Sequence, residues 1–98
     1  MTGMNFSDAL QAMRFAGLPI ARASWNGKGM FVYAVPEAAY PAQTGVAKAH
    51  FGSEAKVPYG AYAAIKGEDG VVNPWTPSQQ DMFADDWTIV EIVPTTVA

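Results

Sequence analysis

The run GMFVYAV, from Gly29 to Val35, is apolar on both sides of any strand it forms. Its aromatic and β-branched residues favour strand. Met30, Val32 and Ala34 would face one way, and Phe31, Tyr33 and Val35 the other. A strand apolar on both faces has to be covered on both. One cover is supplied by a helix near the start of the chain. The other must be the rest of the chain or another copy of it. With 98 residues, this is one small domain, 1–98, which buries only a modest share of its surface. Half of its residues are apolar, so some of that material is expected at a subunit interface.

The helix is predicted over Asn5 to Ala16. Asn5 is suited to cap it, and Phe6, Leu10 and Met13 repeat at one-face spacing. Gly17 is a natural stop, with Pro19 behind it. Ile20 to Trp25 reads as a short extended segment, and Asn26-Gly27 as a tight hairpin turn into Gly29–Val35. Tyr59 to Lys66 reads as a strand, followed by an Asp69-Gly70 turn into Val71-Val72. Thr76-Pro77-Ser78-Gln79 matches a capping box, which predicts a short helix from about Pro77 to Ala84. Trp87 to Val93 reads as the last strand, with a frayed tail over Pro94–Ala98. Between Pro36 and Pro58 no period persists, so a long loop is expected there, at about 37–57. The sum is an α+β fold: a small antiparallel sheet built from hairpins, an N-terminal helix, and a short helix near residues 77–84.

Charge and composition exclude several classes. A net charge of −3 argues against nucleic acid and against an anionic membrane surface. No apolar run approaches the ~20 residues of a membrane span. The opening MTGMNFSDAL has no basic and then apolar stretch, so no secretory leader is expected. There is no cysteine to build a disulfide or a thiolate metal site. The single histidine, His50, has no ligand set around it, and no metal site or cofactor is expected. Asp81 and Asp85 are spaced to share a helical face, with Asp86 beside them; they are either an acid–base pair or a solvated helix end.

Binding is better supported than catalysis. Trp87 opens an apolar strand and reads as core. Trp25 and Trp75 instead sit beside turn and cap residues, where an aromatic face can stack on a planar ligand. Around them lie Asn26, Gly27 and Gly29, and Asn73, Thr76, Ser78 and Gln79. Arg22, Lys28 and Lys66 supply local positive charge, and the short helix start offers backbone N–H groups. For each there is a plainer role. Asn26-Gly27 can be only a turn, Gln79 only a cap residue, and Met30 only core.

Taken together, NFSDAL, then ARASWNGKGM, then a variable insert, then PWTPSQQDMFADDW and an apolar last strand resemble the second family of Thoeris anti-defence proteins of bacteriophages. The resemblance runs from about Asn5 to Ile92, apart from the insert. It implies a sponge acting in the cytoplasm of the infected bacterial host. Such proteins bind a cyclic ADP-ribose isomer, glycocyclic ADP-ribose, made by a TIR-domain enzyme. They hold it without cleaving it, so the Thoeris effector stays off. Some members also take up cyclic dinucleotides in a separate pocket, and members assemble as homotetramers. The positions carried over as ligand-binding are Trp25, Asn26, Gly27, Met30, Trp75, Thr76, Ser78, Gln79 and Asp81. Trp25 and Trp75 are expected to flank the base. Asn26, Ser78 and Asp81 are expected to take hydroxyl or phosphate contacts. The competing expectations are an enzyme that degrades a signalling nucleotide through Asp81, Asp85 or Asp86, and a phage structural or interaction module in which the aromatics only pack.

Overall fold

The computed structural model describes residues 3–25, 27–92 and 94. Asn26, Val93 and the tail 95–98 lie outside the described residues, and the last strand, expected over Trp87–Val93, spans only Trp87–Ile89.

The first helix, α1 (Phe6–Ala16), forms where its local signals place it. The Asn5 side chain accepts the Asp8 N–H at 2.8 Å, and Gly17 ends the helix at φ 68°, a backbone conformation that costs other residues a Cβ clash. Ala9 and Met13 are buried, with Phe6 and Leu10 packed beside them. Seven strands follow: β1 (Ile20–Arg22), β2 (Phe31–Val35), β3 (Ala38–Pro41), β4 (Lys56–Tyr59), β5 (Tyr62–Lys66), β6 (Val72–Pro74) and β7 (Trp87–Ile89). Helix α2 (Gly45–Phe51) lies between β3 and β4, and α3 (Gln79–Phe83) between β6 and β7. A five-stranded antiparallel sheet runs β6-β5-β2-β1-β7, and β3 pairs with β4 in a separate ribbon. The architecture is α+β, as the sequence predicts.

One face of the sheet is the core. Ile20, Val32 and Trp87 are fully buried there against Ala9 and Met13 of α1. Phe6, Trp25 and Trp75 close around Trp87, with ring centroids at 5.5, 5.5 and 6.0 Å. The other face carries Phe31 and Tyr33 of β2, as the two-sided run GMFVYAV predicts, and among the described residues no helix or strand covers it.

Several local expectations are corrected. Asn26-Gly27 does not join two strands directly: β1 ends at Arg22, a 3₁₀ turn spans Ala23–Trp25, and β2 begins only at Phe31. A turn is nonetheless present, with the Lys28 N–H donating to the Trp25 carbonyl at 3.0 Å and Gly27 at φ 82°. The Ala23 N–H continues the β1–β7 register by donating to the Asp86 carbonyl at 3.0 Å, and the 3₁₀ turn that follows brings Trp25 onto Trp87. At the next hairpin the loop is Glu68-Asp69-Gly70, not Asp69-Gly70. The Gly70 N–H bonds Gly67, and the Gly67 N–H bonds Val71 beyond a positive-φ Gly70.

The segment expected as a long loop is the outer half of a β-ribbon. The β2–β5 pairing ends at Val35↔Tyr62 and resumes as β3–β4 at Ala38↔Tyr59, with α2 at the tip. Pro41 and Pro58 obscure this in the sequence. In a two-stranded ribbon each strand is an edge, so a missing N–H is tolerated. The strand expected over Tyr59–Lys66 is correspondingly split at Gly60-Ala61. The arm projects from the body: the radius of gyration is 16.3 Å, against about 13 Å for a compact chain of this length.

Candidate functional site

The uncovered sheet face forms an open groove of about 1230 Å³. Ala21 of β1 and Thr88 of β7 contribute its floor, with Phe31 and Tyr33 of β2 beside them. The Phe31 and Tyr33 rings stand 5.8 Å apart. Trp25 walls one part, and the glycine turn with Gly27 and Gly29 forms a rim beside Met30. Among the described residues two cations, Arg22 and Lys66, and one carboxylate, Glu91, border it.

Trp25 has two environments. It meets Trp87 edge-on, at 82° and 5.5 Å, which locks the ring. It is half-buried and also lines the groove. An aromatic face fixed from behind is a low-entropy stacking surface.

Behind this wall lies a charged cluster. Arg22 donates from Nε to Asp86 Oδ1 at 2.9 Å and from Nη1 to Asp81 Oδ1 at 3.1 Å. The other Asp81 oxygen accepts the Ser78 backbone N–H at 2.9 Å, and the Ser78 hydroxyl accepts the Asp81 N–H at 3.0 Å. The Asp81 carbonyl accepts the Trp87 indole N–H at 2.9 Å. Asp81 therefore ties α3, β1 and the central tryptophan together. The capping box is Ser78/Asp81, not the expected Thr76/Gln79, and α3 runs Gln79–Phe83 rather than from Pro77 to Ala84. An ionised carboxylate accepts a backbone N–H more strongly than an amide oxygen does, which favours Asp81 over Gln79 as the box partner.

Burial alone would raise the Asp81 carboxyl pKa, but the Ser78 hydrogen bonds and Arg22 outweigh it and hold the value below 3.8. For Arg22, the Asp86 hydrogen bond leads the interactions that raise its pKa above the ordinary guanidinium value. A carboxyl held ionised in this way is not a proton donor near neutrality. Because the folded value is depressed, the stabilisation is present above the ordinary carboxyl range and is lost as pH falls through the depressed value. We expect Asp81→Asn to destabilise the protein by about 1–3 kcal/mol at pH 7. It should also flatten the fall in melting temperature below about pH 4, as measured by calorimetry across an acid series. An unchanged acid limb in the variant would show that Asp81 does not carry that stability. The shared helical face expected for Asp81 and Asp85 is absent, because α3 stops at Phe83 and leaves exposed Asp85 beyond it.

The candidate residues fall into two places. Trp25, Gly27 and Met30 border the groove. Trp75 packs on Trp87 and Phe6, and does not border it. Thr76, Ser78 and Gln79 are exposed around the start of α3, and Asp81 is half-buried in the charged cluster. The contact expected of Asn26 lies outside the described residues. Sequence reasoning treated Phe31 and Tyr33 only as a face needing cover; their alternation with core residues was the available signal. His50 is exposed on α2 against Phe51. Among the described residues no group of His, Cys, Asp or Glu is arranged to hold a metal, and no helix is long and apolar enough to cross a membrane.

Fold and groove together define a small α+β domain with an open, aromatic-walled sheet face. A family model for the Thoeris anti-defense 2-like domain matches residues 4–90. A protein of Bacillus phage SP01 named Thoeris anti-defense 2 is 36% identical over 90 residues, which cover 91% of this chain and 97% of that protein. The chain belongs to the Thoeris anti-defense 2-like family.

Proposed function

We propose that this protein is a phage anti-defence sponge. It binds a cyclic ADP-ribose isomer made by a bacterial TIR-domain enzyme, glycocyclic ADP-ribose, and holds it uncleaved in the cytoplasm of the infected host, so that Thoeris immunity is not triggered. The observation that carries this reading is the open groove, in which a braced tryptophan, two further aromatic rings and cationic side chains border one space on a protein of net charge −3. Adenine favours an aromatic face, and a pyrophosphate favours a cation and exposed backbone N–H groups. Family membership supports the anti-Thoeris role.

In this reading Trp25 stacks on the base, with Gly27 and Met30 at its edge. Trp75, Thr76, Ser78, Gln79 and Asp81 form a second contact surface around the start of α3. We further propose a homotetramer. The uncovered groove face, and Phe15, Val46 and Phe83 at 75%, 82% and 81% exposure, are apolar surface available to other copies. Cyclic dinucleotides would use a separate site. The hollow of about 180 Å³ among Val35, Tyr40, Tyr59 and Tyr62 has room for one base, so the remainder would need a neighbouring copy.

The test is to incubate the protein with the product of a TIR-domain enzyme, pass it through a filter, heat the retained protein and assay what is released. We expect the signal to be depleted from the filtrate and recovered intact on heating. Recovery of linear ADP-ribose would make the protein an enzyme, and an undepleted filtrate would overturn the reading.

A further inference from the structure

We propose that Lys66, rather than Arg22, is the cation through which the groove takes a phosphate group of its ligand; this rests on the nucleotide reading above. The two cations bordering the groove differ in what already holds them. The Arg22 guanidinium is committed to Asp86 through Nε and Nη2, at 2.9 and 3.5 Å, and to Asp81 through Nη1 at 3.1 Å. One positive charge against two carboxylates leaves that cluster net negative, so it does not attract a second anion.

Lys66 stands at the end of β5, opposite Phe31 of β2. Its ammonium donates to the Gly29 carbonyl at 2.8 Å and lies 5.8 Å from the centre of the Phe31 ring. Neither partner neutralises it, and among the described residues no carboxylate lies within ion-pair distance of it. An ammonium has three N–H donors. One is used on Gly29, which leaves donors for an anion in the groove. The same bond ties the glycine turn to β5 and so positions the cation beside the rim. Gly29 is itself constrained: it sits at φ 70°, and a Cβ there would meet the Lys66 Nζ at 3.4 Å. A phosphate held by Lys66 would lie beside the Phe31 ring.

The experiment measures the affinity of the chromatographically purified cyclic product of a TIR-domain enzyme for the full chain, at low and high salt. Wild type is compared with Lys66→Gln, Lys66→Arg and a charge-matched control on the distant arm, Lys48→Gln. We expect Lys66→Gln to weaken binding about 10- to 100-fold and to reduce its salt dependence. Lys66→Arg should restore most of the affinity, and Lys48→Gln should behave as wild type. If wild type itself retains no product, the nucleotide reading fails and this assignment falls with it. If wild type binds and Lys66→Gln binds equally well, Lys66 alone is overturned. If Lys66→Gln and Lys66→Arg lose affinity together while the salt dependence stays at the wild-type value, Lys66 only braces Gly29, and the assignment is again overturned.

Discussion

Trp87→Ala is expected to leave little folded protein. The side chain is fully buried and is met by the rings of Phe6, Trp25 and Trp75. Truncating a buried tryptophan costs about 3–5 kcal/mol through lost burial and the cavity left behind. Here the variant also strips the Asp81 carbonyl of the indole N–H that it accepts at 2.9 Å. A small domain sits toward the low end of the about 5–15 kcal/mol that holds folded domains together, so these losses combined take most of it. Urea unfolding followed by circular dichroism should show a midpoint near zero denaturant, or no transition. Trp87→Phe keeps a ring but not the N–H, so it should fold with an intermediate loss. A cooperative, near-wild-type transition for Trp87→Ala would mean that the aromatic cluster does not hold the two layers together.

That expectation reflects how the chain distributes its information. Features set by neighbours in sequence were legible: Asn5 and Gly17 bound α1 because a cap and a positive φ are local demands. Trp87 was legible as core because it opens an apolar strand. Features set by partners far along the chain were not. Pro41 and Pro58 look like loop residues until their strands are seen paired as a ribbon. The Ser78/Asp81 box follows a local Ser-x-x-Asp pattern that the overlapping Thr76–Gln79 pattern obscured, whereas the hold of Arg22 on Asp81 from 59 residues away has no local signal. The candidate site divides in the same way. Gly27 of WNGKGM reads correctly as turn, whereas Gly29, expected to open the strand, lies in the turn as well, and both border the groove. That PWTPSQ stands on the other side of Trp87 is a consequence of packing. Two tryptophans beside turn residues look equivalent in sequence, yet one walls the groove and the other backs the core.

This difference makes Trp25 the sharpest test of the groove. Trp25→Ala removes the braced stacking face, and base–aromatic stacking is worth about 1–3 kcal/mol. Affinity for the TIR-enzyme product should fall by roughly 10- to 100-fold, read by equilibrium dialysis. Some stability should be lost as well, less than for Trp87→Ala because Trp25 is only half-buried. Trp25→Phe retains a smaller face and should recover part of the affinity. Trp75→Ala is the companion variant: its ring also leans on Trp87, at 6.0 Å, so it should cost similar stability, but it does not border the groove. The expected result is therefore a graded separation, with both variants less stable and Trp25→Ala, which removes the groove wall, more strongly impaired in binding than Trp75→Ala, which disturbs only the second contact surface. Equal loss in the two, at temperatures where both are folded, would mean that the surface at the start of α3 carries as much of the binding as the groove does. Retained affinity in Trp25→Ala would remove the groove as the binding site.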